Sequence, residues 1–410
     1  MNIIVIIVLA IILAVIVFIW LRSIPIYNFI RRFFYRNENP QQNMSTSVAN
    51  EHTQETASSN ATFMLATCVL AAESTFNLAL TYKGEVVTKD AANAVELYRK
   101  MAEQNIAEAQ FNLGICYAVG NGVTKDTLEA VKWFRKAAEQ NLKEAQYNLG
   151  NYFYRGECVT KDPAEAVKWF LKAAKQNFAE AQYNLGVCYR DGNGVTKDAV
   201  EAVKWFRKAA DQNDAYAQYS LGTCYKNGEG VTKDTTESVK WFRKAAEQND
   251  AHAQHRLGAC YRNGEGVIKD TTEAVKWFHK AAEQNLSEAQ YSLGICYHKG
   301  EGVKKNPAEA VKWYRKAAEQ NFVSAQYNLA VCYQNGEGVK KDFAEAAKWY
   351  RKAAEQNDAE AQFNLAACYY DGKGVKKNHT ETMKWLCKAA KQGHNSAKET
   401  IKRLGMNVEE

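Results

Sequence analysis

The sequence predicts an all-α solenoid of nine 36-residue helix-turn-helix units, preceded by one N-terminal transmembrane helix. Three observations carry that reading. Eight tryptophans, Trp133, Trp169, Trp205, Trp241, Trp277, Trp313, Trp349 and Trp385, stand 36 residues apart without a slip. Glycine-rich turns of the form G-x-G-V recur in the same register. Residues Asn2 to Leu21 form one uncharged apolar run. A globular core has no reason to space an aromatic so evenly, so the 410 residues are read as one elongated body with nearest-neighbour contacts.

The elements follow in chain order. Residues 1–21 hold the anchor helix: twenty helical residues rise about 30 Å, the thickness of the hydrocarbon core. The basic start, short apolar run and small-residue cleavage site of a signal peptide are not evident, so the helix is expected to be retained. Arg22, Arg31, Arg32 and Arg36 follow it, and this asymmetry predicts a single-pass membrane protein whose repeat array faces the cytoplasm. Residues 22–36 mix aromatics with these arginines and suit an anionic interface. Residues 37–60 are polar, carry no lysine or arginine and read as a disordered linker reaching on the order of 25–30 Å. The array is assigned to 61–396. It opens with a short apolar helix at Ala61 to Ala72, for which a second membrane crossing is the alternative. A closing helix and tail occupy 397–410, the helix drawn from Ser396 to Leu404.

The stretch Ala109 to Glu144 represents one unit. Ala109, Leu113, Cys116 and Tyr117 fall at i, i+4, i+7 and i+8, an apolar stripe on a first helix. Gly114 beside it predicts a close approach of the partner helix, with Ala330 and Ala366 as later replacements. Gly120 and Gly122 end the helix. Asp126 and Glu129 predict a capping box for the second, where Ala130, Val131, Trp133, Phe134, Ala137 and Ala138 face the core. Lys132, Arg135, Lys136 and Glu139 are assigned to its solvated face. Units begin at Glu73, Ala109, Ala145, Ala181, Ala217, Ala253, Ala289, Ala325 and Ala361. The first is worn, with Leu97 in the tryptophan register and Thr81 in that of the cysteine, as expected of a terminal cap.

Seven of the ten cysteines, Cys116, Cys188, Cys224, Cys260, Cys296, Cys332 and Cys368, share one register. Stacked helices stand about 8–10 Å apart, beyond disulfide reach, so these are read as buried, reduced thiols. Cys158 and Cys387 are singletons. A net charge of +7 spread along the array does not make the dense basic patch that nucleic acid demands. No nucleophile, acid–base pair or phosphate loop interrupts the repeat, so no catalytic residue, cofactor or small-molecule substrate is assigned. His252 and His255 lie one helical turn apart, but a third metal ligand is missing nearby. No metal site is assigned.

The string AQYSLGICYHKGEGVKKNPAEAVKWYRKAA from Ala289 resembles the Sel1-like repeat family, a relative of the tetratricopeptide repeat, and the resemblance covers about four-fifths of the chain in nine copies. It implies a right-handed α-superhelix that acts as an adaptor or scaffold for a protein or peptide and brings no catalytic residues. Family members resemble parts of quality-control and signalling assemblies and, in host-associated bacteria, factors that engage host proteins. A secreted cysteine-rich branch staples its helix pairs, whereas Ala138 and Gln146 stand here at those positions. The resemblance also places the first helices on the inner surface. There Asn112, Asn148, Asn184, Ser220, Arg256, Ser292, Asn328 and Asn364 form a candidate peptide-binding ladder, since amides both donate and accept. Ties between adjacent units are the alternative. A more variable register, Val119, Arg155, Asp191, Asn227, Asn263, Lys299, Asn335 and Asp371, offers a place for specificity. The leading expectation is a membrane-anchored interaction scaffold, with a spacer lacking a dedicated ligand or a host-interaction factor as alternatives.

Overall fold

A computed structural model describes residues 91–404. The expected anchor, juxtamembrane segment and linker, the helix at 61–72 and the first helix of the first repeat lie outside the described residues. Among the described residues, 18 α-helices follow one another with no strand, and no helix is long and apolar enough to cross a membrane.

The chain divides into two compact units, Met1–Asp198 and Ala199–Glu410. In the first, α1 (Ala91–Glu103), α3 (Thr127–Glu139) and α5 (Pro163–Lys175) are second helices of repeats, here called B. Helices α2 (Ala107–Val119), α4 (Lys143–Arg155) and α6 (Ala179–Asp191) are first helices, called A. In the second unit the B helices are α7 (Ala199–Asp211), α9 (Thr235–Glu247), α11 (Thr271–Glu283), α13 (Pro307–Glu319), α15 (Phe343–Glu355) and α17 (His379–Lys391). They alternate with the A helices α8 (Ala215–Asn227), α10 (Ala251–Asn263), α12 (Ser287–Lys299), α14 (Val323–Asn335) and α16 (Ala359–Asp371). The closing helix α18 (Asn395–Arg403) buries Ala397 and Ile401 and is capped by the His394 ring. Within each unit an A helix packs on its own B helix and on the B helix before it.

The turn from A to B needs its two glycines for different reasons. Gly120 takes φ +80° and its N–H donates to Cys116 O at 2.8 Å, a left-handed helix cap. At Gly122, a Cβ would lie 2.2 Å from Ala91 O, so the loop rests directly on the start of the preceding B helix. Asp126 caps α3 by accepting from Glu129 N–H, an interaction of about 1 kcal/mol. The reciprocal half of the expected capping box does not form. The Glu129 carboxylate pairs with Lys132 at 2.6 Å, and the Asp126 N–H donates to Tyr117 O.

The tryptophan period now has a physical cause. Trp277 of α11 joins Val239 and Phe242 of α9 and Leu257 and Cys260 of α10 in one buried cluster. Trp313 does the same for α11 and α12. Each of these two indoles thus completes a core begun by the previous repeat. Gly114 admits the Phe134 ring, whose nearest atom would stand 2.8 Å from an added Cβ. The solvated face of the B helix is more occupied than its charge pattern suggests. Lys136 Nζ lies 4.0 Å over the Trp133 ring and Lys172 Nζ 3.7 Å over Trp169, each cation closing one side of an indole. All seven register cysteines are buried. Burial pushes the Cys116 thiol up to about 11 and Cys188 to about 12, leaving both protonated and unreactive at neutral pH.

Candidate interaction surface

The ladder positions are not equivalent. Asn112, Asn184, Ser220 and Ser292 are buried, Asn148, Asn328 and Asn364 are half-buried, and Arg256 is exposed. In the first unit Asn184 Nδ2 donates to Asn151 Oδ1 at 3.1 Å. In the second, Asn328 and Asn364 donate to the hydroxyls of Tyr291 and Tyr327 at 3.3 and 3.4 Å. Ser292 Oγ lies 3.1 Å from His255 Nε2. Half of the register therefore makes bonds to the A helix one repeat earlier. Arg256 breaks the series: it places a guanidinium in solvent between two registers held by small buried serines.

A second polar row, absent from the sequence expectations, lies deeper. Gln110, Gln146, Gln182, Gln218, Gln254, Gln290, Gln326 and Gln362 are all 0–2% exposed. Gln254 is representative. Its Nε2 donates to Ala246 O at 3.2 Å and Asn249 Oδ1 at 3.0 Å, and its Oε1 accepts from Gln284 Nε2 at 2.8 Å. Gln284 also donates to Asn249 Oδ1 at 3.2 Å. Asn249 holds φ +67° and, with Asp250, closes α9 through N–H bonds to Ala246 O and Ala245 O, a Schellman-type end. Asparagine tolerates this left-handed conformation where most residues do not. The signal was present in the sequence. Gln-Asn recurs at the end of eight B helices, and an Ala-Gln pair recurs in each of the eight described A helices.

Six of the eight residues of the variable register are matched inside their own loops. Asn227, Asn263 and Asn335 donate to Glu229, Glu265 and Glu337, two residues on. Arg155 and Lys299 pair with Glu157 and Glu301, and Asp371 reverses the sense by pairing with Lys373. His252 and His255 part company: His252 is exposed, while His255 packs its ring 5.6 Å from that of Phe278. Among the described residues no group of three metal-ligating side chains is present. Cys387 is half-buried, and Cys158 is exposed with φ +56°, standing where other repeats carry the second glycine. A cavity of about 510 Å³ opens between α11 and α13, lined by Asn285, Gln290, Trp313, Lys316 and Gln320 among others. Its amides are already committed to the glutamine row.

The profile of the Sel1 repeat matches the chain nine times, at residues 72–106, 107–142, 143–178, 179–214, 215–250, 251–286, 287–322, 323–358 and 359–394. No curated protein matches. Two solved structures are similar along most of their length. One, a protective antigen present in uropathogenic Escherichia coli strains and displaying an SLR fold, is 35% identical with a TM-score of 0.63, over 88% of this chain and 85% of that one. The other, a Sel1 repeat protein from Oxalobacter formigenes, is 31% identical with a TM-score of 0.62, over 78% of this chain and 95% of that one. The buried tryptophans, the glycine loops and the repeat frame lead to one assignment: the chain belongs to the Sel1 repeat family.

Proposed function

We propose that this protein is a membrane-tethered scaffold that binds a protein or extended peptide on its A-helix face. Sel1 repeat proteins are generally protein–protein interaction scaffolds, and the repeat fold is typically non-catalytic. The observation that carries the finer reading is Arg256. One register of the repeated frame changes there from a buried or half-buried amide or hydroxyl to an exposed cation, with His252 exposed one turn before it. Isolated changes of this kind on a fixed frame are where partner choice is written. The tether at residues 2–21 and the cytoplasmic placement rest on the apolar run and on the arginines that follow it.

The test is crosslinked capture with the full chain, comparing the natural sequence with Arg256→Glu and Asn148→Asp. Loss of a specific partner in Arg256→Glu, with the helical circular dichroism unchanged, supports the site. Identical partners in every variant sink it, and no partner at all favours the spacer. Amine labelling in intact against permeabilised cells reads the topology, and labelling of array lysines before permeabilisation overturns the cytoplasmic placement.

A further inference from the structure

In the second unit the A–B loops form one edge. Each loop leans on the start of the preceding B helix, so that a Cβ on Gly302, Gly338 or Gly374 would lie 2.0, 2.2 or 1.9 Å from the carbonyl oxygen of Thr271, Pro307 or Phe343. Successive loops are therefore contiguous. Their charge changes along the row. The loops at 228–234 and 264–270 each hold one lysine against two acids. Those at 300–306, 336–342 and 372–378 together hold seven lysines against three acids, Glu301, Glu337 and Asp342, because V-K-K replaces V-T-K and Asn306 and Asn378 replace capping aspartates. All seven are exposed, and six of them, Lys304, Lys305, Lys340, Lys341, Lys376 and Lys377, form no ion pair with a described residue. Lys373 is held by Asp371 at 2.7 Å.

One exposed apolar side chain, Tyr370, falls within this lysine-rich stretch. Among the described residues of this unit, the large apolar side chains exposed to solvent are Val200, Ile268 and Tyr370. Ile268 sits in the A–B loop at 264–270, one repeat before the stretch, Val200 at the start of a B helix further back, and Tyr370 at the end of an A helix within it. Ile268 is 91% exposed. Lys377 Nζ lies 5.5 Å over the Tyr370 ring, placing a cation and an aromatic together.

We infer that the A–B loop edge of repeats 7 to 9 docks on an anionic lipid leaflet. The stretch offers lysines without arginine forks, and Tyr370 is its one exposed large apolar side chain among the described residues. The 510 Å³ cavity lies on the opposite edge, at the B–A turns. A protein partner takes its affinity from anchors seated in pockets. A bilayer needs only a row of positive charge and a few side chains able to enter its interface. This inference is independent of partner binding at Arg256.

The test is an amine-acetylation footprint of the full chain with phosphatidylcholine vesicles, with and without phosphatidylserine. The anionic lipid should protect Lys304, Lys305, Lys376 and Lys377 by about fivefold, one lysine's share of surface attraction, and high salt should reverse it. Lys125 and Lys161 of the first unit should label equally in both. Replacing Lys304, Lys305, Lys376 and Lys377 by glutamine, at exposed positions that leave the core intact, should abolish the lipid-dependent protection of Lys340 and Lys341. Equal labelling in both vesicles overturns the inference, even where the chain floats with phosphatidylcholine and the tether stands. Protection by soluble polyglutamate but not by phosphatidylserine assigns the edge to an acidic protein and overturns it equally.

Discussion

Replacing Gln254 by leucine removes three hydrogen bonds from the buried glutamine row: two donated by Nε2 and one accepted by Oε1. Each contributes a net of about 1 kcal/mol, so the loss is about 3 kcal/mol before any compensation. The groups left behind keep partners. Ala246 O still accepts from Asn249 N–H, and Asn249 Oδ1 from Gln284 Nε2, so no large desolvation penalty adds. Leucine regains about 1 kcal/mol by apolar burial, leaving an expected cost of about 2 kcal/mol. Gln284→Leu removes the shared bond from the other side, and the double-mutant cycle should show a coupling of about 1 kcal/mol. Urea unfolding by circular dichroism measures the total. Hydrogen exchange at Ala253 to Gly258 shows whether the loss is local. A Gln254→Leu protein within about 0.5 kcal/mol of the natural one, or a coupling near zero, would refute the reasoning.

Cys158→Gly should raise stability by about 1–2 kcal/mol, since φ +56° is costly for a residue with a Cβ; an unchanged melting temperature would count against this. In the native protein Cys158 should also react with a thiol reagent far faster than the buried register cysteines. Gly230→Ala should cost at least about 2 kcal/mol, because φ is +69° and the new Cβ would lie 2.0 Å from Ala199 O. Gly393→Ala is its control, with φ +91° and nothing within 4 Å, and should cost only the left-handed part, about 1 kcal/mol; equal losses would show that the close approach is irrelevant. Burial, then Arg256, holds the His255 imidazole at about 4, below its ordinary 6.5. The folded state thus disfavours its protonation. The associated stability is complete above pH 6.5 and is lost as pH falls toward 4, roughly 3 kcal/mol in all. His255→Tyr, restoring the aromatic of neighbouring repeats, should flatten unfolding free energy between those pH values, and an unchanged profile removes His255 as the cause.

Much of the frame was legible because a 36-residue period repeats each packing decision many times. Trp277, Gly114, Gly120 and the register cysteines all stand where spacing and size placed them. What escaped was polar. Gln254 and Asn249 sit in a sequence as surface residues do, and only the fold reveals that a carbonyl of the previous helix lies within reach of that amide. Glu129 was read as reaching back to the helix start, yet Lys132 one turn on offers a full charge at 2.6 Å and wins it. Lys136 carried the pattern of a solvated face because hydropathy cannot distinguish a cation in water from one lying on an indole. The ladder is the hardest case. Its amides have the same composition whether they face a peptide or, as Asn328 does, a tyrosine one repeat away.

The indole that completes its predecessor's core makes translation by one period behave like a symmetry operation of the chain. The cluster containing Trp277 and the one containing Trp313 share eight of their nine members by register, so removing Ala289 to Ser324 would join closely equivalent surfaces. No dangling contact would remain at the seam. Length is then a quantity that recombination within the gene can change in whole steps without asking the fold for a new solution. Repeats could be gained or lost while each surviving junction stays as it was, and a distinctive residue such as Arg256 would move along the array as a marker on a ruler.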